Sequence, residues 1–251
     1  MRPCLTSPQG MAALNRLLRG PALIAFDFDG TLARICANPH QVSVHPTWVK
    51  HLKQINQRWP LAVISGRELK DLAPRLGFEP AFIAGNHGAE SAVTQSDRLT
   101  PQFLDEARKT LAKHQEKIAS LGIEVEDKGL SLAVHYRRSN VPRDAAVLIA
   151  DLLASLSSAL QVSHGRAVFN ITMRDLPNKG DALMSAMRLS GVEDALYVGD
   201  DSNDEAAFSA ASPRSVTIKI GSTRLPTAAR FALPTQRQLG RVLRMLASRS
   251  A

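Results

Sequence analysis

Ala22-Leu23-Ile24-Ala25-Phe26-Asp27-Phe28-Asp29-Gly30-Thr31-Leu32 is an apolar run that ends in two carboxylates, followed at once by Gly-Thr. An apolar run of this length bounded by glycine predicts a strand buried on both faces, and open α/β sheets bind ligands beyond the carboxyl ends of their strands. Asp27 and Asp29 are thereby placed in an active site. Two carboxylates this close repel one another; a cation relieves the repulsion and leaves one free to attack an electrophile and the other free to handle a proton. Magnesium suits such hard oxygen ligands. Gly30 permits a tight turn, and Thr31 offers a hydroxyl and an amide to an anion. The same letters also fit a D-G turn closing a hairpin, with both carboxylates in water, so the rest of the chain has to decide.

Outward from that strand, helix and strand alternate. Over residues 46–58, Val49, Leu52 and Ile55 suit one helical face, and Leu61-Ala62-Val63-Ile64 is a second apolar strand followed directly by Ser65-Gly66-Arg67. A short helix over 68–76 leads to a third strand at 81–84 and then to Gly85-Asn86-His87-Gly88-Ala89-Glu90. This alternation predicts a parallel sheet with right-handed crossovers. Near Thr100 the rhythm changes. A helix over 102–120 precedes short strands at 124–126 and 130–136, with Asp127-Lys128-Gly129 as the turn; a helix over about 141–160 and strands around 162 and at 167–173 repeat the arrangement. The βα pattern resumes at Asn178-Lys179-Gly180, which opens a helix over 181–189. The strand at 195–198 runs into Gly199-Asp200-Asp201-Ser202-Asn203-Asp204-Glu205, and a strand at 215–220 and a helix at 236–246 close the chain. The predicted fold is α/β: a doubly wound parallel-sheet core from 1–98 and 174–251, with an α+β cap domain inserted at 99–173.

At 251 residues the chain can bury a substantial core, and its hydrophobic share of 44% with 22% charged residues excludes disorder and fibre. The formal charge of +8 favours anionic partners, among them a phosphorylated metabolite. The basic residues are scattered, the run of them from Arg237 to Arg249 reads as a solvated helix face, and 5% aromatics leave little to stack on bases. Nucleic acid and membrane partners are therefore not expected, and no apolar run approaches the roughly 18 residues of a membrane span. Two cysteines, Cys4 and Cys36, cannot form a disulfide framework, and residues 1–20 lack the apolar core of a signal peptide. The expectation is a cytoplasmic protein with a frayed start. Oligomeric state is not legible, and a monomer fits.

Four strand ends now carry complementary chemistry: Asp27 with Asp29, Ser65, Lys179, and the acidic run 200–204. Each alone has a plain reading, Ser65 as a helix cap, Lys179 as a solvated charge, Asp200 and Asp201 as caps of the next helix. Together, in this order, they resemble the four motifs of the haloacid dehalogenase-like (HAD) phosphatase superfamily. The resemblance implies Asp27 as the nucleophile that forms an aspartyl-phosphate and Asp29 as the acid/base. It implies Ser65 and Lys179 as holders of the transferring phosphoryl group, with Thr31, Gly66 and Arg67 beside it. Magnesium would bridge Asp27, the backbone carbonyl of Asp29, and Asp200; Asp201 would support it through water, and Asp204 would orient Lys179 or the metal shell.

Within the superfamily, three details resemble the trehalose-6-phosphate phosphatases. These are Gly85-Asn86-His87-Gly88-Ala89-Glu90, similar to G-x-H-G-A-E; Glu126-Asp127-Lys128-Gly129 with His135-Tyr136-Arg137, similar to E-x-K-G with H-Y-R; and Asn178-Lys179-Gly180 with Gly199-Asp200-Asp201 and Asp204-Glu205. The resemblance implies that Glu126 and Lys128 hold sugar hydroxyls. His87 reads equally as a substrate contact and as a buried loop residue. One departure stands out: where the family carries V-E-I-[KR]-P, this chain has Val168-Phe169-Asn170-Ile171-Thr172-Met173, so Asn170 takes the place of a sugar-binding glutamate without its charge. The implied activity is magnesium-dependent hydrolysis of trehalose 6-phosphate, a step of trehalose biosynthesis. The alternative is another glycosyl or sugar phosphate.

Overall fold

The computed structural model describes residues 2–36, 41–91, 104–165, 167–174, 176–222 and 226–249. The chain splits into two compact units, Met1–Thr94 with Pro177–Ala251, and Gln95–Leu176. In chain order the first unit begins with α1 (Pro8–Leu17), β1 (Leu23–Phe26), α2 (Pro46–Asn56), β2 (Leu61–Ile64), α3 (Leu69–Leu76), β3 (Phe82–Gly85) and β4 (Glu90–Ser91). The second unit contributes α4 (Asp105–Lys113), α5 (Gln115–Ser120), β5 (Glu124–Asp127), β6 (Leu132–His135), α6 (Pro142–Leu153), β7 (Leu160–Gly165) and β8 (Val168–Met173). The first unit then resumes with α7 (Lys179–Leu189), β9 (Ala195–Gly199), α8 (Glu205–Ala210), β10 (Val216–Ile220), β11 (Phe231–Leu233) and α9 (Gln236–Ala247).

The first unit is a seven-stranded sheet in the order β11-β10-β9-β1-β2-β3-β4, parallel except for β4. Alternation along β1 sends Ile24 and Phe26 to one face and Leu23 and Ala25 to the other. The first pair packs with Leu14 of α1, Leu52 of α2, Leu72 of α3 and Leu243 of α9. The second packs with Leu183 of α7 and Phe208 of α8. Both faces are thus covered, as an apolar, non-alternating strand requires, and each fully buried leucine or isoleucine contributes about 1.5–3 kcal/mol. The chain leaves β1 toward β2 on one side and returns later to β9 on the other. The carboxyl end of β1 therefore lies at the point where strand order reverses, the place where open α/β sheets bind ligands.

The second unit is an antiparallel sheet in the order β5-β6-β8-β7. Leu132, Val134 and Ile171 pack against Leu111 of α4, Ile118 of α5 and Ile149 of α6. Alternate residues occupy the opposite face, where the register sets Glu126 against Ala133, Ala133 against Asn170, and Asn170 against Ser163. Arg174 still bonds within this unit, through its N–H to the Ala159 carbonyl at 2.8 Å and its Nε to the Ser158 carbonyl at 2.9 Å.

Some local expectations differ from the structure. The chain start is not frayed: Ser7 caps α1, Leu14 and Leu17 are buried, and the Leu5 N–H donates to the Ala232 carbonyl of β11 at 2.9 Å. The helix expected over 102–120 begins outside the described residues, as does the 98/99 domain boundary. Where described, it breaks at His114, whose φ −113° and ψ 18° are not helical. The helix expected to reach 160 ends at Leu153, and the Glu106 carboxylate accepts the Ser157 N–H at 3.1 Å in the turn that follows. Strands β4 and β11 were not expected; they run only two and three residues, too short for alternation to register.

Candidate active site

Asp27 is the first residue past β1, and its N–H continues the ladder by donating to the Val198 carbonyl of β9 at 2.9 Å. The chain then turns back at Gly30, whose φ is +83° and where a Cβ would run into the Asp200 carboxylate, so only glycine allows the two loops this close. Lys179 opens α7, whose start is fixed by a capping box between Asn178 and Asp181. Its side chain is 4% exposed and its Nζ donates to Asp27 Oδ1 at 2.6 Å and to Asp204 Oδ1 at 2.7 Å. Asp204 also accepts the Tyr197 hydroxyl at 2.8 Å and the Asp201 N–H at 2.9 Å. A side chain at Gly199 would collide with Asp204, which explains the glycine before the acidic run.

Asp27, Asp200 and Asp204 each present an oxygen, all within 4.8 Å of one another, around the one ammonium of Lys179. Burial pushes Lys179 down, but the charges of Asp204 and Asp27 outweigh it and hold the ammonium well above its ordinary range. Burial likewise pushes Asp204 up, and Lys179, the Asp201 N–H and the Tyr197 hydroxyl bring it below the usual carboxylate range. Asp27 is raised by burial and by Asp204 and Asp200, against the pull of Lys179. Burial lifts Asp200 to about 7, with Asp204 and Asp201 adding to the rise and Lys179 opposing it. Negative charge is therefore in excess, and Asp200 Oδ1 is buried with no hydrogen-bond partner. A hard divalent cation among these oxygens would satisfy that atom and offset the excess, so the residues present fit magnesium.

The remaining sequence-predicted residues divide. Asp29 does not join this group; Arg67 holds its carboxylate as a fork, Nε to Oδ2 at 2.7 Å and Nη2 to Oδ1 at 2.8 Å. Arg67 also donates to Asp71 Oδ2 at 2.8 Å, Asp71 pairs with Arg75, and the Arg67 guanidinium lies 5.4 Å from the Phe28 ring centre. The Arg67 side chain is thus occupied by carboxylates of the protein. Ser65 is buried and its hydroxyl accepts the Arg67 N–H at 3.2 Å. The Thr31 amide is engaged with the Phe28 carbonyl at 3.2 Å, whereas its hydroxyl is buried without a hydrogen-bond partner among the described residues. The His87 ring lies against Gly66, where a Cβ would come within 2.5 Å of it, and the His87 N–H donates to the Ser65 carbonyl at 2.9 Å. Asp201 caps the short turn Ser202–Asp204 and lies outside the converging carboxylates. In the second unit, Glu126 Oε2 lies 3.0 Å from His135 Nε2 and 3.6 Å from Lys128 Nζ, and Asn170 is buried.

Three participants were not singled out from sequence. Tyr197 looked like one more apolar strand residue, yet its hydroxyl anchors Asp204. Lys219 donates to the Asp201 carbonyl at 2.6 Å and lies 3.7 Å from Glu205, holding the acidic loop. Asp71 completes the Arg67 pairing. A lysine within the apolar strand Val216–Ile220 was the available signal, since an intermediate-buried charge needs a partner.

The family profile described as trehalose-phosphatase matches residues 25–237. A trehalose-phosphate phosphatase of Mycobacterium tuberculosis (strain H37Rv) is 32% identical over 241 residues, covering 90% of this chain; the chain spans 61% of that relative's length. Among solved structures, the C-terminal domain of a Candida albicans trehalose-6-phosphate phosphatase superposes with a TM-score of 0.85 at 20% identity, covering 100% of this chain and 99% of that one. A HAD-superfamily phosphatase of Bacteroides thetaiotaomicron gives 0.62 at 16% identity, covering 90% and 95%. At these identities the structural likeness speaks for the fold, which is HAD-like.

Proposed function

The chain belongs to the trehalose-phosphatase family, and from that premise we propose that it is a magnesium-dependent phosphatase that hydrolyses trehalose 6-phosphate to trehalose and phosphate through an aspartyl-phosphate. The observation that carries the reading is the Lys179 ammonium shared between Asp27 and Asp204 beside the unsatisfied Asp200 oxygen, all at the carboxyl end of the central strand. Binding alone requires no buried carboxylate aimed from a strand end beside a fixed ammonium.

Asp27 attacks phosphorus through its carboxylate, whose direction the hydrogen bond from Lys179 fixes, and the bond from phosphorus to the sugar oxygen breaks. Lys179, kept protonated by two carboxylates, neutralises charge on the phosphoryl oxygens as it develops, and because Asp204 anchors it, no reorganisation is needed at that moment. The Ser65 and Thr31 hydroxyls donate to the same oxygens. Asp29, once released from the Arg67 fork that holds both of its oxygens here and protonated, gives that proton to the departing sugar oxygen and later takes one from the water that cleaves the acyl phosphate. Asp27, Asp200 and the backbone carbonyl of Asp29 would hold the magnesium, which when bound would supply the positive charge that keeps both carboxylates ionised and draws charge from the phosphoryl group.

Glu126, Lys128 and Asn170 carry sugar recognition in this reading, with His87 as a further contact. A neutral Asn170 in place of an acid favours a second reading of substrate range, in which other glycosyl phosphates are also accepted. A phosphate-release screen over sugar phosphates, with and without magnesium, tests both. Release from trehalose 6-phosphate above all others, and only with the metal, is the expected pattern; release from no sugar phosphate would refute the reading.

A further inference from the structure

The turn Asp127–Gly129 that carries Lys128 is gripped from α4, and we propose that Arg108 is a positioning residue for sugar recognition, an inference that rests on the reading of Glu126 and Lys128 as sugar ligands. Arg108 Nε donates to Asp127 Oδ2 at 2.7 Å, and Nη2 donates to Asp127 Oδ1 at 3.1 Å and to the Gly129 carbonyl at 3.3 Å. Its remaining terminal nitrogen donates to Asp105 Oδ1 at 3.0 Å, one turn back on the same helix. Asp127 Oδ1 also accepts the Gly129 N–H at 2.9 Å, and the Lys128 N–H donates to the Ser131 carbonyl at 2.9 Å. The turn is thereby held on both sides of Lys128.

Successive residues of a strand point to opposite faces, so Asp127 faces the helices while Glu126 faces away toward His135 and Lys128. The resemblance leaves the second position of E-x-K-G open; here it is filled by an acid that meets a fork of matching geometry. Gly129 has φ +71° and no neighbour to meet a Cβ, so beyond its own local hydrogen bonds the turn has no packing at this position to stiffen it. Arg108 supplies that stiffness from behind, on the face the sugar does not touch. A lysine offers a point charge in place of the fork and cannot match the two oxygens of Asp127 with a planar pair of donors.

The test compares Arg108→Met, Arg108→Lys and Asp127→Asn with Lys128→Ala in the full chain with magnesium, reading kcat and KM for trehalose 6-phosphate and for p-nitrophenyl phosphate, with a melting curve for each. The expected result is a KM for trehalose 6-phosphate raised by about tenfold in Arg108→Met and Asp127→Asn, as loosened positioning of a binding group predicts, with kcat and aryl phosphate hydrolysis retained and Arg108→Lys between. Lys128→Ala should lose more on the sugar phosphate than on the aryl phosphate. If it does and the Arg108 and Asp127 variants lose equally on both substrates or on neither, Arg108 is a structural tie only and the inference is overturned. If Lys128→Ala itself fails to discriminate, the assignment of sugar ligands falls and the inference falls with it.

Discussion

Asp204→Asn is isosteric, yet it should be among the most damaging single changes in the first unit. The carboxylate accepts three hydrogen bonds in a fully buried place: Lys179 Nζ at 2.7 Å and the Tyr197 hydroxyl at 2.8 Å on Oδ1, and the Asp201 N–H at 2.9 Å on Oδ2. An amide keeps one acceptor and turns its NH2 group toward a donor whichever way it is set, so either the Asp201 N–H or the Lys179 and Tyr197 pair loses its partner. A hydrogen bond to a charged group contributes about 1.5–3 kcal/mol, and an orphaned buried donor costs about 1–3 kcal/mol more. Relief of repulsion among Asp27, Asp200 and Asp204 returns part of this, leaving a net loss of about 2–4 kcal/mol. For a unit of this size that lowers the melting temperature by roughly 4–16 °C at about 2–4 °C per kcal/mol. The same change frees Lys179 from one of its two anchors, and misplacement by about 1 Å costs on the order of a hundredfold in rate. Differential scanning calorimetry near neutral pH, alongside phosphate release, reads both effects. A variant with an unchanged transition and unchanged kcat would refute the reasoning that Asp204 holds Lys179 in place.

Asp29→Asn should cost more rate with a sugar phosphate than with an activated aryl phosphate, because only the poor leaving group needs the proton that Asp29 delivers; equal losses on the two substrates would contradict the acid/base role. Glu126 is held down to about 2, chiefly by the hydrogen bond from His135 and then by Lys128, against burial. A carboxylate depressed on folding adds stability that is fully present above its unfolded value of 4.5 and is lost as pH falls through about 2. With 52% of the side chain exposed, screening keeps that contribution below about 1 kcal/mol, so Glu126→Gln should lower the melting temperature slightly above pH 4.5, with the difference closing between pH 4.5 and 2. Asn170→Glu should raise the kcat/KM ratio of trehalose 6-phosphate to glucose 6-phosphate, since a charged acceptor contributes about 1.5–3 kcal/mol against roughly 1 for a neutral one; an unchanged ratio would mean that another residue makes the contact.

Where a physical signal is local, sequence and structure agree closely. Leu61–Ile64 is a strand at both its ends as read, because an apolar run between Pro60 and Ser65-Gly66 leaves a strand little choice. The alternation of such runs with helices gave the parallel sheet, and the rule that chemistry gathers at carboxyl strand ends picked out Asp27, Lys179, Asp200 and Asp204, which the fold brings within reach of one another. What the sequence could not display is pairing across distance. Nothing near Asp29 in the chain announces that Arg67 will hold it, and Tyr197 is an ordinary strand residue until the acidic loop folds back over it. Helix ends failed partly for a related reason: after Leu153 the Ser157 N–H bonds to the Glu106 carboxylate of another helix, which periodicity does not report, whereas the break at His114 is a backbone change within its own segment.

Phosphate release from trehalose 6-phosphate, measured in magnesium for the wild-type protein and for Asp27→Asn side by side, tests the central claim most directly. The amide preserves the shape of the site and removes the attacking charge. Steady release by the wild type and none above background by a folded Asp27→Asn protein is the predicted result. Release that persists in the variant, or a wild type that releases no phosphate, would contradict Asp27 as the nucleophile of a sugar-phosphate phosphatase.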